Sequence, residues 1–221
     1  MRKKKFYSLF FVFVHFAAYS QNDFLKGGEL YSSNFLIDGI QRNFIYYMPV
    51  DYGKKDAYPL VIFLHEQGGS GKTLINNYGN TIQTLADSSN AVVIYPDAVA
   101  NHWNEKMGES FPATDTVNDV GFISILIDYF EQVYSCDPKR VYLSGILNGG
   151  KIAYRLTCEI PHKITAVAPF VFNIQEVENK CKGDKSVAIM NTNGLMDSTT
   201  KKIGSTAIEA MWKFFMTKAK E

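Results

Sequence analysis

Apolar and polar positions along this chain fall into two alternating patterns. Continuous apolar runs occur at Leu60 to Leu64, Ala91 to Tyr95, Val141 to Ser144 and Ala166 to Phe172. Short runs of this kind, bounded by turn residues, predict strands covered on both faces, as at the centre of a parallel sheet. Phe44 to Met48, closed by Pro49, predicts an earlier strand, and Val187 to Asn191 a late one. Between the runs the spacing becomes helical. Leu74 to Ala86, Val120 to Tyr134, Lys151 to Glu159 and Ala207 to Lys218 predict helices, the last with Ile208, Met211, Trp212 and Phe215 on one face. Strands alternating with helices predict an α/β fold with a mostly parallel central sheet and helices on both faces.

The first twenty residues follow another rule. Arg2, Lys3, Lys4 and Lys5 precede an apolar run from Phe6 to Ala18, and Ala18-Tyr19-Ser20 places small residues at a cleavage position. This is the pattern of a secretory signal, so residues 1–20 are expected to be a signal peptide and 21–221 a single domain. The expected destination is the periplasm or the extracellular space. No later segment is apolar for long enough to cross a membrane.

Charge narrows the partners. Removing the four positive charges of residues 2–5 from the net +1 leaves −3, with no basic run elsewhere, which argues against nucleic acid. The three cysteines, Cys136, Cys158 and Cys181, allow at most one internal disulfide. Cys158 with Cys181 is one reading, because each borders an element flanking the strand from Ala166; three reduced buried thiols is the other. No His or Cys spacing matches a metal site, and no cofactor is implied.

Gly145-Ile146-Leu147-Asn148-Gly149 lies between a predicted strand and a predicted helix. In that setting Gly-x-Ser-x-Gly makes a nucleophile elbow, a sharp turn that holds a hydroxyl above the sheet. Here the central residue is Leu147, whose isobutyl group cannot be deprotonated by any base. Ser144 stands too early in the strand to replace it. A second pattern, Glu66 to Thr73, misses the phosphate-binding sequence G-x-x-x-x-G-K-[ST] at its first position, where a carboxylate would oppose phosphate.

Three segments together resemble one family. They are Leu64-His65-Glu66-Gln67-Gly68-Gly69-Ser70 after a central strand, Asn118-Asp119-Val120-Gly121-Phe122-Ile123 opening a helix, and the elbow with its continuation Tyr154 to Glu159. The chain resembles the secreted feruloyl esterase and polyhydroxybutyrate depolymerase-like group of the α/β-hydrolases, related to carbohydrate esterase family 1. The resemblance implies an α/β-hydrolase fold, here shortened at the C-terminal side, and a Ser-Asp-His triad. It maps the nucleophile position to Leu147 and the acid to Asp197. No histidine follows Asp197; the four are His15, His65, His102 and His162.

The oxyanion loop departs from the family too, because Glu66 stands where glycine follows the histidine. The binding cleft implied by the resemblance comprises His65, Glu66, Gln67, His102, Trp103 and Asn148. With nucleophile and base both missing, the expected protein is a catalytically impaired esterase homologue that retains a cleft for an aromatic or carbohydrate-linked ester. Two alternatives stand beside it. One is an active ester hydrolase recruiting His65 or His102, and the other a noncatalytic surface interaction protein. The pattern carries no information on oligomeric state.

Overall fold

The computed structural model describes residues 25–104, 117–170, 184, 186–190, 192 and 203–220. The expected signal peptide lies outside them. The chain opens on a hairpin, β1 (Glu29–Ile37) and β2 (Ile40–Met48). It turns on Asp38-Gly39, with φ of 52° and 77°. Two successive positive-φ residues form the type I′ turn whose twist matches that of paired strands. β1 was not among the strands predicted from the pattern. Its residues alternate between half-buried and exposed, so it lacks the apolar run of a central strand.

Then follow β3 (Tyr58–Leu64), α1 (Gly71–Ser89), β4 (Val92–Pro96), α2 (Asp119–Val133), β5 (Cys136–Ile146) and α3 (Asn148–Glu159). The last described elements are β6 (Ala166–Phe170), β7 (Ala188–Ile189) and α4 (Ser205–Met216). The strand order across the sheet is β1-β2-β4-β3-β5-β6-β7. β1 and β2 pair antiparallel, as do β2 and β4, and every pairing beyond β4 is parallel. Among the described residues the last strand is the two-residue β7.

Side-chain alternation sorts the core into two layers. Leu60, Ile62 and Leu64 of β3 cluster with Phe122, Leu126 and Phe130 of α2 and with Ile152 and Leu156 of α3. Val61 and Phe63 cluster with Leu74 and Ile82 of α1 and with Met211 and Phe215 of α4. The Trp212 indole donates to Ser89 Oγ at 3.0 Å, tying α4 to the end of α1. Tyr142 stacks on Phe215 with ring centroids 5.0 Å apart.

Two boundaries differ from the sequence reading. β5 begins at Cys136, not Val141, because Cys136 pairs with Tyr58 while the polar Asp137 to Arg140 interrupts the apolar run. α3 begins at Asn148, not Lys151, since Gly149 serves close packing against the end of β3 instead of breaking the helix. Cys136 is a buried free thiol whose pKa is pushed up by burial, and Cys158 is disulfide-bonded. Cys181, its expected partner, lies outside the described residues. Among the described residues no helix is long and apolar enough to cross a membrane.

Candidate functional site

The candidate site gathers at the C-terminal ends of β3, β4 and β5, where α/β sheets place their ligands. Leu147 stands between β5 and α3 with φ 49° and ψ −110°. Side chains rarely adopt that region, and residues held there concentrate at functional sites. The Leu147 amide donates to the Phe170 carbonyl at 3.0 Å, and its carbonyl accepts from Lys151 at 3.0 Å. The elbow backbone is therefore fully built around a side chain with no hydroxyl. That side chain is 45% exposed.

Two glycines make this turn possible. A Cβ on Gly145 would lie 2.3 Å from the Gly149 carbonyl carbon, and one on Gly149 would lie 2.3 Å from the Leu64 oxygen and 2.6 Å from the His65 oxygen. The first turn of α3 thus presses directly on the end of β3. Position 147 is held beside the His65-Glu66 segment.

His65 is wholly buried, and both ring nitrogens are engaged. Nε2 accepts from the Ala98 amide at 3.1 Å, which places the proton on Nδ1, where it donates to the Glu66 carbonyl at 2.7 Å. Burial lowers its pKa, against a smaller raising effect from that carbonyl bond. His65 is therefore a neutral clamp between the ends of β3 and β4. It has no lone pair left to act as a general base.

Trp103 is also wholly buried. Its indole N–H donates to the His65 carbonyl at 2.8 Å, and its ring lies 5.0 Å from the imidazole. In this conformation it supports the loop and offers no surface to a ligand. His102, next to it, is exposed, with its amide on the Val99 carbonyl at 3.0 Å. Glu66 to Gly69 forms a turn closed by a 3.0 Å bond from the Gly69 amide to the Glu66 carbonyl, with Gly68 at φ 78°. Glu66 is partly exposed, Gln67 exposed and Asn148 partly buried. Asp197 lies outside the described residues.

Ser144 is excluded as a substitute nucleophile by its contacts. It is wholly buried, and its hydroxyl donates to the Ala168 carbonyl at 2.8 Å, joining β5 to β6. Residues that sequence reasoning left out hold the loop from behind. Asp119 accepts from Arg42 at 2.5 Å and from the Asn104 amide at 2.6 Å, while Arg155 donates to the Asn104 carbonyl at 2.7 Å. Asn118-Asp119 was legible as a helix start, but Arg42 lies 77 residues away in the chain. Among the described residues there is no group of three or more His, Cys, Asp or Glu side chains able to hold a metal.

No family model matches the chain. It is 34% identical over 142 residues to a bifunctional acetylxylan esterase/xylanase of Neocallimastix patriciarum, covering 63% of this chain and 19% of that protein. It is 24% identical over 182 residues to feruloyl esterase D of Neurospora crassa, covering 78% of this chain and 58% of the relative. The chain thus spans less than two thirds of the length of these relatives. The crystal structure of a thermostable esterase matches 86% of this chain and 63% of its own at a TM-score of 0.60 and 15% identity. An S-formylglutathione hydrolase from Agrobacterium tumefaciens matches 85% of this chain and 83% of its own, at a TM-score of 0.54 and 14% identity. These likenesses establish the fold. The chain therefore has the α/β-hydrolase fold, and its sequence is similar to those of feruloyl and acetylxylan esterases.

Proposed function

We propose that this chain is an exported, noncatalytic relative of the esterases that keeps its cleft as a binding site for an aromatic or carbohydrate-linked ester. The observation that carries the reading is Leu147. The elbow backbone is in place, at φ 49° and ψ −110°, and it presents an isobutyl group where acyl transfer needs a nucleophilic oxygen. An ester carbonyl brought to this point meets, at position 147, a side chain unable to form an acyl-enzyme. His65 cannot serve as the base, since both its ring nitrogens are engaged. Loss of nucleophile or base alone removes nearly all of a triad's rate advantage.

What remains is the surface of a binding site. Leu147 offers exposed apolar area at the elbow, Asn148 follows it in the chain, and Glu66 and Gln67 lie exposed or partly exposed just past the end of β3, a mixture suited to a ligand with an apolar ring and polar substituents. The kind of ester comes from the relatives, whose names specify feruloyl and acetylxylan substrates.

The test is hydrolysis of p-nitrophenyl acetate and methyl ferulate by the purified protein, followed by titration calorimetry with methyl ferulate. Rates equal to buffer together with saturable binding support the reading. Turnover that disappears in a His102→Ala variant would overturn it and identify a recruited base. Absence of both turnover and binding would move the chain to the class of surface interaction proteins.

A further inference from the structure

The outermost strand of the sheet is undefended. Among the described residues β1 pairs only with β2, so its other edge presents backbone donors and acceptors that no described strand meets. The two-residue turn makes Ile37 and Ile40 the closing pair, so odd positions from 29 to 37 direct their backbone groups to β2. The even positions Leu30, Ser32, Asn34 and Leu36 direct theirs outward. Natural sheets blunt such an edge with lysine, proline or a bulge. Between Glu29 and Ile37 there is none of these, and the strand's charge is Glu29, already paired to Lys26 at 2.8 Å.

The same even positions carry the exposed apolar side chains of this strand. Leu36 is 76% exposed and Leu30 is 42% exposed. Both stand three residues from Ser33. We propose that two copies of this chain associate through β1, antiparallel, about a two-fold axis at Ser33, joining their sheets into one.

In that register Leu30 faces the partner's Leu36 and Ser32 faces the partner's Asn34, each pair repeated by symmetry. All four outward-bonding residues meet outward-bonding residues. A slip of one position would set them against residues whose backbone groups already serve β2. Moving the axis to position 32 or 34 keeps the hydrogen-bond phase but leaves the leucines unmatched. Charge does not oppose the same choice. The one charged residue of β1, Glu29, faces the partner's uncharged Ile37, so no like charges are opposed. Two nine-residue edges alone cover less than the roughly 1,200–2,000 Å² of a stable complex, so the association is weak and concentration-dependent.

Sedimentation equilibrium on the purified protein, from micromolar to near-millimolar concentration, tests this. The expected result is a mass rising from one chain to two. Leu36→Lys should raise the dissociation constant about tenfold or more, equivalent to ~1.4 kcal/mol. The double variant Leu30→Glu, Leu36→Lys should restore association, because opposite charges then face each other across the axis. Leu30→Lys with Leu36→Lys should stay monomeric. Thermal melts within about 2 °C of the parent show that these exposed changes leave the fold intact. A chain that stays monomeric throughout overturns the proposal, as does a dimer indifferent to Leu36→Lys or a charge-swapped pair that fails to reassociate.

Discussion

Arg42 Nη2 lies 2.5 Å from Asp119 Oδ1 in an ion pair whose side chains are 3% and 0% exposed. The guanidinium also sits 4.0 Å from the centroid of the Phe122 ring. The second carboxylate oxygen holds the Asn104 amide, so one side chain joins β2, α2 and the loop that carries Trp103. Removing one partner of a buried pair leaves an uncompensated charge, at a cost of about 3–5 kcal/mol. Asp119→Ala is expected to lose roughly that much in urea unfolding. A double change to Arg42→Met, Asp119→Leu should recover most of it, because neither charge is then left alone. Equal losses in the single and double variants would mean that the pair's charge is not what holds the loop.

His65 makes stability depend on pH. Its folded pKa is lowered, chiefly by burial, from the ordinary imidazole value of about 6.5. The unfolded chain therefore binds this proton more readily than the folded one, and stability rises with pH between the two values. The contribution is complete above about pH 6.5 and is lost as pH falls through the lower, folded value. The melting temperature is expected to drop on acidification below neutrality, and to drop less in a His65→Gln variant. Parallel curves for the two proteins would assign the acid sensitivity to other groups.

The glycines of the elbow are predicted to be less tolerant than their exposure implies. A methyl group at Gly149 would stand 2.3 Å from the Leu64 carbonyl oxygen, and one at Gly145 2.3 Å from Gly149. Backbone atoms cannot swing aside as a side chain can. Gly149→Ala is expected to cost more than about 3 kcal/mol, placing it among the severe single substitutions, and to lower soluble yield. Gly79→Ala, inside α1, is the contrast. There the nearest atom is a flexible Ile75 methyl at 3.1 Å, and alanine's helix preference of ~1 kcal/mol offsets a small shift. Similar melts for the two variants would contradict the close approach of α3 to β3.

The fold was legible where burial is uniform and obscure where it is mixed. Leu60 to Leu64 and Ala91 to Tyr95 announced central strands because both faces are covered. β1 did not, since it alternates, and its clearest signal was the Asp38-Gly39 dipeptide joining it to β2. The elbow was legible because close backbone approach demands glycine at 145 and 149 whatever the central residue does. His65 was legible as a member of the site but not as a clamp. That role depends on the Ala98 amide, 33 residues distant, reaching its Nε2. Likewise nothing in the local pattern around Asp119 points to Arg42. Long-range polar partners leave no periodicity, so only the fold discloses them.

The last prediction concerns Leu147 itself. Its φ of 49° and ψ of −110° lie in a region that costs a side-chain-bearing residue of order 1–3 kcal/mol. In a hydrolase that cost is offset functionally, because the strain aims the nucleophile. Here the residue carries no nucleophile, so the strain persists because Gly145, Gly149 and the bond to Phe170 define the turn. Leu147→Gly relieves it, against an unfolded-state entropy penalty of roughly 0.5–1 kcal/mol and little lost packing, since the side chain is 45% exposed. The net expectation is stabilisation by about 0–2.5 kcal/mol, each kcal/mol raising the melting temperature by about 2–4 °C for a chain of this size. Leu147→Ser should gain little stability and, with both nitrogens of His65 already engaged, no esterase activity. If Leu147→Gly instead destabilises the protein, the isobutyl group contributes contacts that outweigh the backbone strain. Position 147 would then be held by its side chain and not by the turn alone.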